Sequence, residues 1–234
     1  MITTILFDLD GTLLPMDQDI FIRAYMGGLA AKMAPYGYEP QKLIKSIWKG
    51  TGAMTTNDGA LRNDALFWQV FSHTYGKDCR EDEPIFEEFY RVEFQKVKES
   101  CGFDPRAAET VCRLKEMGFR LVLATNPLFP AIATHSRVRW AGLEPEQFQW
   151  ITTYENSFHC KPNPDYYRDI LDIMHISAEE CLMVGNDVTE DLVAETLGMK
   201  VFLLTDCMIN RENREIDHCP HGSFPELMEY IRSL

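Results

Sequence analysis

Thr3-Thr4-Ile5-Leu6-Phe7-Asp8-Leu9-Asp10-Gly11-Thr12 is the stretch that decides the fold of this 234-residue chain. Its first half is short, rich in β-branched residues and apolar on both faces, the pattern of a parallel strand covered on both sides. Its second half passes at once to two carboxylates, a glycine and a threonine. Two later apolar runs end alike: Phe119 to Ala124 runs into Thr125-Asn126, and Cys181 to Val184 runs into Gly185-Asn186-Asp187. In open α/β sheets ligands bind beyond the carboxyl ends of the strands, so these three polar tails are expected to converge in one crevice.

The rest of the chain alternates between helical and strand signals. Residues 17 to about 99 read as helices. Ile20, Phe21, Ala24, Tyr25 and Gly28 share one face at helical spacing, and Leu43, Ile44 and Ile47 repeat it. Ala65, Trp68, Val70 and Phe71 begin a third helix, and Ile85, Phe86, Phe89, Val92 and Phe94 a fourth. Pro84 behind Glu81-Asp82-Glu83 suits a helix start, where acids sit near the positive end of the dipole. After residue 104 a helix ends at Gly118, and strands are expected at 119–124, 149–153, 181–184 and, last, 200–204. Helices near 130–141, from Pro164 to Met174 and over 189–197 lie between them. This order predicts an α/β fold, a doubly wound parallel sheet with right-handed crossovers. Residues 1–15 and 101–234 make the sheet core, and residues 16–100 an all-helical unit inserted after the first strand.

Composition narrows the class. Hydrophobic residues are 45% and charged residues 25% of the chain, ordinary for a soluble fold. No apolar run approaches the ~18 residues of a membrane helix, and the start lacks the basic region of a signal peptide. Seven cysteines, odd in number and without a C-x-x-C pair, read as reduced thiols of a cytoplasmic protein. The 23 basic and 36 acidic residues give a formal charge of −13, which repels phosphate backbones and argues against nucleic-acid partners. The helical block holds 11 basic and 13 acidic groups and the remainder 12 and 23, so the acids concentrate in the sheet core. Carboxylates gathered at strand ends invite a hard divalent cation with oxygen ligands, Mg²⁺ foremost. Lys161, in the proline-bounded loop Cys160-Lys161-Pro162-Asn163-Pro164, offers positive charge to an anionic substrate.

Asp8-Leu9-Asp10-Gly11-Thr12-Leu13, Thr125-Asn126, Lys161-Pro162 and Gly185-Asn186-Asp187…Asp191, taken in that order, resemble the four motifs of the haloacid dehalogenase-like hydrolase superfamily. The helical block after the first motif resembles a cap of the C1 type on a Rossmann-like core. Each motif alone has an ordinary explanation. Asp-Gly-Thr is a common turn, Asp187 suits a helix cap, and a lone lysine is usually a solvated surface group. Four in order at strand ends carry the resemblance. It implies a Mg²⁺-dependent phosphatase acting on a small phosphorylated metabolite through an aspartyl-phosphate. Asp8 would attack phosphorus, and Asp10 would protonate the leaving alcohol and then assist the attacking water. Gly11 would let the backbone approach the phosphoryl group. Thr125 would donate to a phosphoryl oxygen, with Asn126 beside it, and Lys161 would neutralise charge on the group and on Asp8. Mg²⁺ would be held by the Asp8 carboxylate, the Asp10 carbonyl and Asp187. Many relatives carry an acid directly after the motif glycine, where this chain has Asn186. The metal bond is therefore assigned to Asp187, with Asn186 and Asp191 in supporting roles.

Substrate choice is expected from the insertion. Trp48-Lys49-Gly50-Thr51-Gly52-Ala53 reads as a glycine-containing loop between two helices, similar to the cap loop that meets substrate in C1 relatives. Lys49 is thus a candidate substrate contact and Arg62 a lesser one. His218-Cys219-Pro220-His221 lacks a partner pair at zinc-ligand spacing and reads as structural. Phe67, Trp68, Phe71 and Tyr75 read as packing within the insertion. The alternative functions are a sugar phosphomutase of the same superfamily and a non-catalytic binding protein on the same fold. Asp10 counts against a haloalkanoate dehalogenase and against a phosphonate hydrolase. The ester itself, and the choice between monomer and homodimer, are open at this level.

Overall fold

A computed structural model describes all residues, 1–234. The strands are β1 (Thr4–Phe7), β2 (Arg120–Leu123), β3 (Trp150–Ile151), β4 (Cys181–Gly185), β5 (Lys200–Leu204) and β6 (His221–Gly222). They form one sheet in the order β3-β2-β1-β4-β5-β6, every pair parallel. The doubly wound α/β fold expected from the sequence is the fold observed. β1 is central and buried throughout. Ile5 and Phe7 enter one apolar cluster and Leu6 the other, which is why the strand is apolar on both faces. The strand order reverses beside β1, between β1 and β4, where such a sheet opens a crevice at its carboxyl end.

The helices on the sheet are α5 (Pro105–Glu116), α6 (Ala131–Trp140), α7 (Pro164–Met174) and α8 (Phe224–Arg232). α7 spans the residues that its sequence signals predict, because Pro164 occupies its first turn and Asn163 accepts from the Asp165 N–H. Three expectations change. The sheet does not end at 200–204: β6 adds a two-residue edge, too short to carry a periodicity, and α8 closes the chain. Residues 189–197 form only a short 3-10 helix over Leu192–Leu197. There Asp187 Oδ1 accepts from the N–H groups of Thr189 and Glu190, a tight turn that postpones the helix.

Between β1 and α5 lie α1 (Gln18–Met33), α2 (Pro40–Thr55), α3 (Asn63–Tyr75), α4 (Glu83–Arg91) and a 3-10 run over Glu93–Ser100. The ends of this helical block are tied together. Met16 and Cys101 pair as an antiparallel bridge, and the Gly102 N–H donates to the Pro15 carbonyl at 2.7 Å. Asp17 caps α1 through the Ile20 N–H. The third change is in α1: its phase turns Phe21, Tyr25, Met26, Leu29 and Met33 inward and leaves Ile20 and Ala24 outside the stripe expected for them. The block does not bury a core of its own. One apolar cluster runs from α1 through the 3-10 segment into β1 and α6, and the rings of Phe94 and Trp140 lie 5.0 Å apart. No helix is long and apolar enough to cross a membrane, and all seven cysteines are free thiols.

Candidate active site

Asp8 sits one residue past β1, its N–H donating to the Val184 carbonyl of β4 at 2.9 Å. The strand pairing therefore aims its carboxylate out of the sheet end. Beneath it lies Lys161, 1% exposed. The ammonium donates to Asp8 Oδ1 at 2.9 Å and to Asp191 Oδ1 at 2.7 Å. Asp191 Oδ2 in turn accepts the N–H groups of Asn186 and Asp187, both at 2.9 Å. A single buried cation thus connects the first, third and fourth sequence motifs. Burial alone would drive the lysine towards its neutral form, but the Asp191 and Asp8 carboxylates reverse this and hold its pKa well above the ordinary value. Asp8 shows the opposite balance. Burial pushes its carboxyl up to about 7, Lys161 opposes the rise, and Asp191 and Asp10 add to it.

Asp10 faces the same crevice and is held by a residue that the sequence did not single out. Arg137 of α6, 1% exposed, donates through Nη1 to Asp10 Oδ2. Its guanidinium also donates to the Ala133 carbonyl and the Thr134 hydroxyl and lies 4.4 Å from the Phe129 ring centre. Asp10 Oδ1 is buried and has no hydrogen-bond partner. A signal for Arg137 exists in hindsight: it falls four residues after buried Ala133 and three before buried Trp140, on the inward face of α6. Glu190, also passed over, lines the crevice and accepts from Asn126 Nδ2 at 3.0 Å. Burial raises its pKa to about 8, with Lys161 opposing and Asp191, Asp187 and Asp8 adding.

The remaining motif residues divide by what they touch. Thr125 is buried, its carbonyl accepts from Thr152 and Tyr166, and its hydroxyl makes no hydrogen bond within the protein. Asn126 lines the crevice with an unpartnered buried Oδ1. Asn186 bonds the Thr12 hydroxyl through Oδ1 and the Cys207 carbonyl through Nδ2, so its side chain is used in joining loops. Thr12 also donates to Asp8 Oδ2 at 3.2 Å. Gly11 lies in the turn that follows Asp10. Its N–H is taken by the Leu14 carbonyl, and its φ of +87° favours glycine. A Cβ there would meet Asn186 Nδ2 at 2.2 Å, so the turn and the Asn186 contact explain the residue.

The insertion's candidate contacts lie elsewhere. Trp48 to Ala53 is not a loop but the last turns of α2, since neither glycine breaks a helix held by its neighbours. Gly50 packs against Phe67, where a Cβ would approach at 2.7 Å. Lys49 is exposed on an open face of α2 with Lys45 and Gly52, away from the crevice of Asp8. Arg62, at the start of α3, pairs with Asp64 at 3.1 Å.

No three His, Cys, Asp or Glu side chains form a ready-made metal cluster. The donor set at the crevice nevertheless suits a small hard cation. Five carboxylates, Asp8, Asp10, Asp187, Glu190 and Asp191, line it. Asp187 Oδ2 and the Asp10 carbonyl accept no hydrogen bond. Mg²⁺ commonly takes one or two carboxylates and completes its shell with water and substrate oxygens.

A family model described as haloacid dehalogenase-like hydrolase matches residues 2–194. The phosphoglycolate phosphatase of Vibrio cholerae is 28% identical over 204 residues, covering 87% of this chain and 84% of that protein. That of Colwellia psychrerythraea is 26% identical over 203 residues, covering 86% and 83%. The crystal structure of a 2-haloacid dehalogenase from Pseudomonas syringae pv. Tomato matches with a TM-score of 0.64 at 21% identity, covering 100% of this chain and 99% of that one, which is a likeness of fold. The family match takes in β1, the helices that follow it and every residue bonded to Lys161, and on it the chain belongs to the haloacid dehalogenase-like hydrolase family.

Proposed function

We propose that this hydrolase is a Mg²⁺-dependent cytoplasmic phosphatase that cleaves a small-molecule phosphomonoester through an aspartyl-phosphate on Asp8, with residues 16–100 as its cap. One observation carries the reading: Asp8 and Asp10 share a crevice, the first held by a buried lysine and the second keeping one oxygen unpartnered. Asp8 attacks phosphorus, and the ester bond to the leaving oxygen breaks. Asp10 gives that oxygen a proton, with Arg137 fixing the other carboxylate oxygen so that the group is aimed. Asp10 then takes a proton from the water that attacks the aspartyl-phosphate, which restores Asp8. Lys161 and the free Thr125 hydroxyl stand where charge builds on the phosphoryl oxygens. The Asp8 carboxylate, the Asp10 carbonyl and Asp187 would hold Mg²⁺, with Asp191 positioning Lys161 and the loop. When bound, the cation offsets the repulsion between a carboxylate nucleophile and a phosphate dianion.

The names of the similar phosphatases support ester hydrolysis, and the presence of Asp10 weighs against dehalogenation, which has no use for a leaving-group acid. The test is phosphate release from a panel of esters by wild type and Asp8→Asn, each with Mg²⁺ and with chelator. Release should need both the metal and Asp8, the substitution costing about a thousandfold or more. Release that survives either change would overturn the proposal.

A further inference from the structure

We infer that the alcohol released is uncharged and apolar, aromatic or branched-aliphatic in character, rather than a small acid; this rests on the phosphatase reading and names its substrate class. The basis is a second hollow. The crevice of Asp8 encloses about 150 Å³, and beside it a cavity of about 430 Å³ lies between α1–α4 and the Leu128–Ile132 segment. Ile22, Leu128 and Phe129 line both. These three residues form a common wall, past which a substituent on a phosphoryl group at Asp8 would reach the larger space. That space falls in the ~300–1,000 Å³ range of small-molecule pockets, which are mostly apolar with a few polar groups.

The cavity walls specify what fits. Tyr25, Phe67, Trp68, Phe86 and Tyr90 supply aromatic surface. The charged groups are three acids, Glu83, Glu87 and Glu155, against Arg91 alone. Arg91 is already paired with Glu88 at 3.2 Å and Glu87 at 4.0 Å. Glu155 is committed to the Ala131 N–H at the start of α6. A carboxylate or second phosphate on the leaving group would be desolvated here without a free cation. In the reaction Asp8 forms its bond to phosphorus, the P–O bond to the apolar alcohol breaks, and that oxygen takes its proton from Asp10.

The test compares kcat/KM of the Mg²⁺-loaded protein for acetyl phosphate, 2-phosphoglycolate, phosphocholine and 2-phenylethyl phosphate. The last should exceed phosphoglycolate about tenfold or more. Ile132→Glu and, at the more exposed rim, Trp48→Glu should each cut the ratio of 2-phenylethyl to acetyl phosphate about tenfold, a ratio that does not depend on the fraction of folded enzyme. Preference for phosphoglycolate or phosphocholine, or a ratio unmoved in both variants, would overturn the inference. Failure of the phosphatase reading looks different: no phosphorylated compound, acetyl phosphate included, is turned over. In that case binding of 2-phenylethyl phosphate to Asp8→Asn, followed by tryptophan fluorescence with and without Ile132→Glu, decides the matter alone. Saturable binding weakened by the glutamate supports an apolar site, and its absence overturns it.

Discussion

The two hollows that meet at Ile22, Leu128 and Phe129 are built from opposite materials. The crevice at the sheet end packs five carboxylates into about 150 Å³ above one buried lysine and beside one buried arginine. The neighbouring cavity is nearly three times larger and lined mainly by aromatic and aliphatic side chains. The crevice comes from strand ends and the loops that follow them, where backbone pairing between β1 and β4 fixes directions closely. The cavity comes mainly from helices α1–α4, whose facing residues are set by packing, closed on one side by Leu128–Ile132 and Tyr154. Chemistry that must be aimed is placed on the stiff part, and choice among leaving groups is left to the part whose walls can change without disturbing the aim.

The largest effect expected on the charged side is at Lys161. Lys161→Met leaves Asp8 and Asp191 facing each other without their shared cation. It should cost about 3–5 kcal/mol in urea unfolding and about a thousandfold or more in kcat/KM. A fully active variant would mean that the crevice does not depend on this buried pair of contacts. Next is Arg137→Met, expected to lower kcat by ~10–100-fold with KM changed much less, because Asp10 loses its fixed aim. An equal fall in kcat/KM for every ester, measured where the variant is fully folded, separates this positioning role from simple packing.

A smaller effect concerns pH. Asp8 and Glu190 are carboxyls raised by burial to about 7 and about 8, from 3.8 and 4.5. Between those limits the folded state holds more protons than the unfolded chain, so stability falls as pH rises. The Tm of metal-free protein should accordingly drop between pH 5 and pH 8, and Mg²⁺ should flatten that slope. A slope that is identical with and without Mg²⁺ would detach the cation from these carboxylates. The smallest effects belong to Lys49→Ala and Arg62→Ala, expected to leave kcat/KM for every ester within about twofold, since both side chains are exposed surface groups. A tenfold loss at Lys49 would return that side chain to the substrate path and blur the contrast between the two hollows.

How much of this was legible beforehand follows the range of the interactions involved. β1, α7 and the placing of Asp8, Asp10 and Asp187 around one crevice follow from patterns a few residues long: an apolar run, a proline-asparagine cap, polar residues at strand ends. Local sterics, an unbroken apolar run and cap chemistry write these into the chain itself. The glycines of α2 misled for the same reason. Glycine weakens a helix locally, but Gly50 also fits against Phe67 of α3, and that packing keeps the helix intact. Glu190 was readable only once the Asp187 turn had replaced the first turn of a helix.

By itself, then, the sequence determined the parallel sheet, the helical insertion and the charged residues that gather at the strand ends, because each is encoded by neighbours along the chain. Only the tertiary structure decided that Arg137 grips Asp10 across 127 residues, that Lys49 faces solvent and that an apolar cavity opens beside the crevice. Those outcomes depend on which helix faces meet, and helix faces are chosen by long-range packing that no local pattern contains.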